Sequence, residues 1–220
     1  MAKIKAVGLT LAIASAYATS LPFTAASNAA ETVLSMTSTT GLAAGDYVEV
    51  TSAWSLLDQR IARVKTVVAS TSITLELIDT SDTSKFPAAG GVGASAGVRK
   101  ISTWTQITQL TSNLQTSGGE QQFADVTEIS DLTQRQIPTT RSAVTMTAPV
   151  YFDPALSWVA TVRSAADSGA AKGMLMVYPG GSRTVGNAYW GLREIPTIED
   201  STLRGEVTLS FASLPVVYPT

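Results

Sequence analysis

The chain has 220 residues, of which 45% are hydrophobic, 15% are charged and none is cysteine or histidine. This length and apolar content suffice for one large domain, or for one domain that carries a second lobe. The lack of cysteine and histidine excludes disulfides, cysteine nucleophiles, histidine-based triads and nearly all zinc sites. A net charge of −2 provides no basic surface for phosphates, so specific nucleic-acid binding is not expected.

The charged fraction is low, because an average soluble domain has roughly 25% charged residues. Serine and threonine are frequent instead, so most polar side chains carry hydroxyl groups. Threonine is β-branched and fits a pleated surface, so the composition predicts strands coated with hydroxyl groups.

The N-terminus has two interpretations. Residues 1–20 begin with lysines, continue with an apolar stretch and include Ala16-Tyr17-Ala18, a small-x-small cleavage pattern, as in a secretory signal peptide. Within the same stretch, however, apolar residues at positions 9, 11 and 13 alternate with Thr10 and alanines, which is typical of a strand. We therefore favour a first strand near Gly8–Tyr17.

Residues 21–98 contain short apolar runs separated by turn signals, a pattern typical of a small antiparallel β lobe. The predicted strands are Val33–Met36, Tyr47–Thr51, Ile61–Val68 and Ser72–Ile78. The segment Ser81–Val98 is rich in serine, alanine and glycine and is predicted to be a connecting loop.

The strands predicted after Arg99 are longer. They are Trp104–Leu114, Phe123–Ile129, Ser142–Phe152, Gly173–Tyr178, Ala188–Ile195 and Leu203–Ala212. One helix is predicted over about residues 153–168, with Asp153 as N-cap, Pro154 in the first helical position and Gly169 after its end. The apolar tail Leu214–Thr220 contains two prolines and is predicted to be an extended arm that seeks a groove or a partner.

The acidic residues occur in short local groups. These are Asp79 with Asp82, Glu128 with Asp131, and Glu199 with Asp200. Acid–base pairs of enzymes usually face each other across a cleft, so these groups are interpreted as turn and capping acids. A calcium site at Asp79–Asp82 would lack ligands. We therefore predict no catalytic residue, no metal site and no cofactor.

The order of strands, turns and polar segments in the C-terminal part resembles that of a known family. The run WTQITQLTSNLQTSGGEQQFADVTEISDLTQRQIPTTRSAVTMTAPVYFDP starts at Trp104 and precedes the predicted helix. A strand with a Pro-Gly-Gly turn follows at Met174–Gly181, and a last strand covers Gly205–Leu214. This succession is similar to the major tail tube proteins of siphophages, the long-tailed phages with non-contractile tails. The stretch GLAAGDYVEVTSAWS resembles an additional N-terminal module of some members.

The resemblance implies an antiparallel β-sandwich, flanked by one helix, that forms part of a barrel in the assembly. Residues 1–20 and 99–220 would form the tail tube domain, and residues 21–98 an inserted small β lobe. Family members assemble as hexameric rings that stack into a hollow tail through which DNA is ejected. The implied partners are further copies, the tape measure protein, and tail terminator and tip proteins. The implied location is the virion tail, with assembly in the host cytoplasm and without a membrane.

The resemblance also assigns roles to residues. The hydroxyl-rich side of two strands would line the channel, at Thr145, Thr147, Glu206, Thr208 and Ser210. The loop Ser117–Gln122 and the polar stretch Asp131–Arg141 would bridge subunits or rings, at Gly118, Gly119, Glu120, Asp131, Arg135 and Arg141. Exposed strand edges are a liability in a monomer, and closure into a barrel removes them.

Three other functions compete with this hypothesis. The leader-like N-terminus fits a secreted or periplasmic β-sandwich binding protein. The composition also fits a head or decoration protein of a virion. An enzyme is the weakest alternative, because no catalytic constellation is present in the sequence.

Overall fold

The computed structural model describes residues 8–88, 92–111, 113–129, 132–199 and 201–219. The fold is mainly β, with 49% strand and 6% helix, and this confirms the predicted class. The strands of the N-terminal half are β1 (Thr10–Tyr17), β2 (Leu21–Ala26), β3 (Val33–Met36), β4 (Tyr47–Thr51), β5 (Arg60–Val68), β6 (Ser72–Leu75) and β7 (Gly97–Ile107). The C-terminal half contains β8 (Gln115–Ser117), β9 (Gln121–Asp125), β10 (Gln136–Arg141), β11 (Thr145–Tyr151), α1 (Ser157–Ser168), β12 (Lys172–Val177), β13 (Arg183–Leu192), β14 (Thr197–Glu199), β15 (Thr202–Phe211) and β16 (Val216–Tyr218).

Six strands of the N-terminal half close into a small barrel, here called the lobe barrel. Its antiparallel neighbours run in the order β2–β3–β6–β5–β4–β7. The contact of Leu21 with Val98 and of Pro22 with Gly97 then pairs β7 with β2 and completes the circuit. The barrel encloses fully buried apolar side chains, among them Leu34, Val48, Val50, Ile61, Ile73 and Leu75. Closure removes free strand edges from this part of the chain.

A second sheet continues from the far half of β7. Its strand order is β7–β1–β12–β13–β15–β11–β8, all antiparallel. Strand β7 belongs to both parts, since Gly97–Lys100 pair with β4 while Ile101–Ile107 pair with β1. The predicted domain boundary at residues 98 and 99 thus falls inside one continuous strand, and the division into two domains stays a prediction.

The helix α1 covers the core of the second sheet. Its buried residues Trp158, Val159, Val162 and Ala165 recur at helical spacing and pack in one apolar cluster with β1, β11, β13 and β15. The helix ends at Gly169, as predicted, in a left-handed conformation with φ of 61°.

The predicted start of the helix was wrong. Asp153 does not cap it but accepts a hydrogen bond from the Ala155 N–H at 3.0 Å, which makes a separate turn. Leu156 follows in an extended conformation and is the N-cap residue, so the first helical residue is Ser157 and not Pro154. A local side-chain turn here takes the acid away from the helix.

The C-terminal tail, predicted to be an extended arm, binds within the same chain. Val216–Tyr218 form β16 and pair with Arg183–Val185 of β13. The Tyr218 hydroxyl accepts a hydrogen bond from the Arg63 N–H at 2.9 Å and donates one to the Glu76 carbonyl at 3.3 Å. Tyr218 is fully buried in the lobe core, so the tail fastens the lobe barrel to the second sheet.

A buried charged group lies at the same junction. Glu49 of β4 is buried and accepts two hydrogen bonds from Arg99 of β7, at 3.0 and 3.1 Å. The Arg99 guanidinium stacks 4.3 Å above the ring of Tyr17, a residue of β1, and Lys172 lies 5.1 Å from the same ring. Burial raises the pKa of Glu49 more than these cations lower it.

Several predicted strand limits differ from the structure. Strand β7 begins before Trp104 and ends at Ile107, and β13 begins at Arg183 instead of Ala188. Strand β2 was not predicted, and β10 occupies part of the polar stretch that ends at Arg141, where no strand was predicted.

Candidate assembly surfaces

Strands β11 and β15 present two unlike sides. Met146, Ala148, Val150, Val207 and Leu209 are buried in the core. The alternate positions face solvent, because successive side chains of a strand point to opposite faces. This outer side is here called the hydroxyl face.

The structure places all the residues predicted to line a channel on the hydroxyl face. Thr145 lies opposite Ser210, and Thr147 lies opposite Thr208 across the same strand pair. Glu206 follows on this face, opposite Pro149. Their common position is therefore a property of the fold, whereas their orientation toward a channel stays a prediction.

Two neighbouring strands extend the hydroxyl face. On one side, the Ser117 hydroxyl of β8 lies 2.8 Å from the Thr145 hydroxyl. On the other side, Gly191 of β13 pairs with Thr208. A Cβ atom at position 191 would lie 2.5 Å from the Thr208 hydroxyl oxygen, so any larger residue would have to displace the Thr208 side chain. No residue of β13 was predicted on this face, although its last part lies within the predicted strand Ala188–Ile195.

The end of the hydroxyl face near Tyr151 is charged. The Arg204 guanidinium stacks 4.8 Å above the Tyr151 ring, and the exposed Arg193 donates its backbone N–H to the Glu206 carbonyl. Arg193, Arg204 and Glu206 border a concavity of about 260 Å³ together with Thr111. The face is thus rich in hydroxyl groups at the Thr145 end and carries both arginines at the other end.

A two-stranded ribbon projects from the Thr145 end. The β8–β11 pair continues through hydrogen bonds from the Gly119 N–H to the Ser142 carbonyl and from the Ser142 N–H to the Glu120 carbonyl. Gln121 then pairs with Arg141, and β9 and β10 run outward together. We call residues 118–144 the arm. Every residue of β10 is exposed, so the arm receives little support from the body.

Gly118 and Gly119 allow the ribbon to pass from the sheet into the arm. Gly118 has a φ of +83°, and a Cβ atom there would lie 1.9 Å from the Ala143 carbonyl oxygen. Gly119 has a φ of +79°. Only glycine adopts this backbone without strain, so both residues shape the base of the arm.

The other predicted bridging residues follow along the arm. Glu120 is at its base, Arg141 is on β10, and Arg135 donates its N–H to the Thr127 hydroxyl at 3.0 Å. Asp131 lies outside the described residues. Their contacts with other subunits stay predictions.

The arm also exposes large apolar side chains that the sequence pattern did not reveal. They are Phe123, Val126, Ile129, Leu132 and Ile137, and Ile129 and Leu132 are fully exposed. A two-stranded ribbon is marginally stable alone in water, and clustered exposed apolar surface marks interaction sites. The arm therefore has the composition of a segment that becomes buried against another chain.

The acidic groups of the lobe form local turns, as predicted. Asp79 accepts hydrogen bonds from Ser81, and Asp82 accepts them from Ser84. Lys85 and Ser84 lower the pKa of Asp82 to about 2. Among the described residues there is no group of three potential metal-ligating side chains. In the same part of the chain, no helix is both long and apolar enough to span a bilayer.

A comparison with known families identifies a related family. The model of a family described as phage tail tube protein, TTP, matches residues 52–220, which include the hydroxyl face and the arm. The chain belongs to the phage tail tube protein family. No curated protein matches the chain.

Membership in the tail tube family makes the protein a structural component of a phage tail and confirms the predicted family. It does not favour the alternative of a secreted or periplasmic binding protein. Cleavage after Ala18 would also remove β1, which lies between β7 and β12 in the second sheet.

Proposed function

We propose that this tail tube protein assembles into hexameric rings, and that the rings stack into the hollow tail of a siphophage through which DNA is ejected. The observation that carries the proposal is an exposed hydroxyl face on a sheet whose other side is a buried apolar core, in a chain of the tail tube family. Six such sheets arranged around an axis would give a wide barrel with an aqueous channel.

The chemistry of the hydroxyl face suits a channel wall. Thr145, Thr147, Thr208 and Ser210 offer hydroxyl groups that water can hydrate, and Glu206 is an acid that repels phosphate. DNA would pass such a wall without sequence-specific contacts, because specific binding needs basic groups and base-edge contacts. The two arginines lie together at one end of the face and do not form a stripe along it.

The arm is the proposed bridge between subunits or rings. Gly118 and Gly119 set its direction, Glu120, Arg135 and Arg141 provide polar contacts, and Asp131 belongs to the same segment. A ring closes through heterologous contacts, in which two different surfaces of the same chain meet, and stacked rings build a filament. The projecting arm supplies one of those surfaces.

A stack of rings with heterologous contacts has no intrinsic length, so other proteins must set its ends. The proposed partners are a tape measure protein inside the tube, a terminator protein and tip proteins. Assembly would take place in the host cytoplasm, and the mature protein would reside in the virion tail.

Electron microscopy of the purified protein at increasing concentration tests the assembly. Six-fold rings or tubes with a central channel are expected, and a monomer at every concentration would refute the proposal.

Labelling tests the position of the hydroxyl face, because the chain has no cysteine and an introduced one is unique. Thr147→Cys should react with a bulky maleimide in the monomer and be protected in the tube. A cysteine at Val68, which is exposed on the lobe barrel, is the matched control. Equal reactivity of Thr147→Cys in both states would show that this face does not line a closed channel.

A further inference from the structure

The C-terminal segment joins the two halves of the chain through one tyrosine. The backbone of Val216–Tyr218 belongs to the second sheet, where it pairs with Arg183–Val185 of β13. The side chain of Tyr218 belongs to the lobe barrel, where it is fully buried in the core. Its hydroxyl accepts a hydrogen bond from the Arg63 N–H of β5 and donates one to the carbonyl of Glu76, the residue after β6. We call Val216–Tyr218 the latch.

The binding site of the latch in the lobe barrel is a strained turn. Leu77 follows Glu76 with a φ of +56°, a left-handed conformation that is unfavourable for leucine. The Arg63 guanidinium stacks 4.6 Å above the Tyr218 ring and forms a salt bridge with Glu76. A strained backbone persists only where the surrounding contacts hold it, and the hydrogen bond from Tyr218 to Glu76 is one of these contacts. Relaxation of this turn would therefore favour an open latch.

The chain crosses between the lobe barrel and the second sheet at one place. Strand β7 changes its partners after Lys100, and the connection from β1 to β2 passes beside it, where the Ala18 N–H donates to the Lys100 carbonyl at 2.8 Å. The pairing of β1 with β7 is irregular here, with register shifts between Ala14 and Ala16 and between Ala16 and Tyr17. Such irregularities bend strands and interrupt the ladder, so this crossing has the geometry of a hinge.

The latch lies away from this hinge. Three strand spacings separate β7 from β13 in the order β7–β1–β12–β13. At roughly 4.8 Å per spacing, the separation is about 14 Å across the sheet. A contact at this distance restrains the angle of the lobe barrel more strongly than a contact at the hinge itself.

The contact between the two halves is partly polar. The buried Glu49 carboxylate of the lobe barrel lies near the side chains of Lys172 on β12 and Asn187 on β13. Asn187 is fully buried, and within the described part of the chain neither atom of its amide has a partner in hydrogen-bonding geometry. Water would hydrate both groups in an opened junction, so closure costs hydration, and the latch offsets this cost.

We propose that the latch opens while both halves of the chain stay folded, and that its opening frees the lobe barrel to swing about the hinge. The closed latch fixes the lobe barrel on the second sheet. The open latch leaves the crossing at Ala18 and Lys100 as the pivot. This device belongs to the single chain, so it goes beyond the proposed tube and does not depend on it.

Hydrogen exchange of the unmodified monomer tests whether the latch opens. The Arg63 N–H is bonded to the latch, whereas the Val64 N–H of the same strand donates to the Asp46 carbonyl inside the lobe barrel at 2.8 Å. After correction for intrinsic rates, the Arg63 amide should exchange about tenfold faster than the Val64 amide or more, because local opening needs less free energy than unfolding of the lobe. Equal exchange rates of the two amides would overturn the proposal.

Distances between two spin labels test whether the lobe barrel swings. The chain has no cysteine, so labels can be placed at Val68→Cys on the lobe barrel and Ser164→Cys on α1, both exposed positions. Tyr218→Phe keeps the buried ring but removes both hydrogen bonds of the hydroxyl, and it should broaden the distance distribution. Tyr189→Phe, at an exposed tyrosine of β13, is the matched control and should leave the distribution unchanged.

The two measurements together decide the proposal. Faster exchange at Arg63 and a distribution broadened only by Tyr218→Phe support it. A distribution that stays as narrow in Tyr218→Phe as in Tyr189→Phe would show that the latch does not hold the lobe barrel. Neither result bears on tube formation, so the proposed function is tested separately.

Discussion

The lobe barrel and the arm are both built from short antiparallel strands, but their unpaired strand edges differ. The lobe barrel pairs its edges within the chain, and the arm does not. The lobe barrel closes its edges through the pairing of β2 with β7 and buries its apolar side chains inside. The arm leaves its edges open and carries Phe123, Ile129 and Leu132 in water. A closed barrel buries its apolar side chains and pairs its strand edges in the monomer, whereas an open apolar ribbon can do so only in an assembly.

This contrast predicts that core substitutions in the lobe barrel destabilise the isolated chain most. Leu75 is fully buried, and its replacement by alanine leaves a cavity among well-packed neighbours. We expect Leu75→Ala to lower the free energy of unfolding by about 2–5 kcal/mol. Chemical denaturation followed by tryptophan fluorescence measures this, since Trp54 lies in the same core. A loss below about 0.5 kcal/mol would mean that the lobe barrel is not a tightly packed unit.

The sequence predicted the lobe's strands better than its closure. Alternating or apolar runs such as Val33–Met36 and Tyr47–Thr51 coincide with β3 and β4. Strand β2 has the sequence LPFTAA, which lacks a clear alternation, and its pairing with β7 joins positions far apart in the chain. No local pattern encodes such a pairing, so neither the barrel nor its lack of edges could be predicted.

The assembly surfaces were predictable to different degrees. The hydroxyl face follows from strict alternation in β11 and β15, which local sequence shows directly. The apolar character of the arm was missed because Phe123, Ile129 and Leu132 are scattered among polar residues.

The second largest effect on stability is expected at the base of the arm. Gly118→Ala places a Cβ atom where the Ala143 carbonyl already lies and also strains a positive φ. Backbone strain alone costs about 1 kcal/mol or more at such a φ. The clash with the Ala143 carbonyl adds to this strain, so we expect a total loss of about 2–3 kcal/mol, together with faster proteolysis of the arm. Limited proteolysis and thermal denaturation measure both effects.

Gly41→Ala is the matched control for the base of the arm. Gly41 has a φ of +82°, but a Cβ atom there would meet nothing within 4 Å. Gly41→Ala should therefore lower the free energy of unfolding only by the backbone strain, and it should leave the arm as resistant to proteolysis as in the wild type. If Gly41→Ala and Gly118→Ala gave the same loss and the same proteolysis pattern, the contact with Ala143 would not shape the arm.

A smaller effect is expected from pH at the junction of the lobe barrel with the second sheet. Burial raises the pKa of Glu49 in the folded chain, so the folded state binds its proton more tightly than the unfolded state does. The contribution of Glu49 is therefore most favourable at low pH and is lost as the pH rises through its folded pKa. The stability difference between the wild type and Glu49→Gln should decrease with rising pH, by at most about 1.4 kcal/mol per pH unit.

Glu76 provides the control with the opposite sign. Its hydrogen bonds with Arg63 lower the pKa of this carboxyl group, so its contribution is present above the unfolded pKa and is lost as the pH falls. The difference between the wild type and Glu76→Gln should therefore increase with rising pH over the acidic range. Denaturation midpoints of the three proteins between pH 3 and pH 7, at constant ionic strength, measure both slopes. Slopes of the same sign would contradict the roles assigned to burial at Glu49 and to the ion pair at Glu76.

The smallest effect on the stability of the isolated chain is expected from substitutions at the tip of the arm. The same substitutions should weaken assembly most. Ile129 and Leu132 are fully exposed, so replacing both by serine should change the free energy of unfolding by no more than about 0.5 kcal/mol. In the assembly the same side chains would lose their apolar contact, and the concentration needed for tube formation should rise at least tenfold. Light scattering against protein concentration measures this threshold.

The exposed Val68 on the lobe barrel is the control, since Val68→Ser should change neither the free energy of unfolding nor the concentration needed for tube formation. If Ile129→Ser with Leu132→Ser polymerised like the wild type, the arm would be exposed for a reason other than assembly.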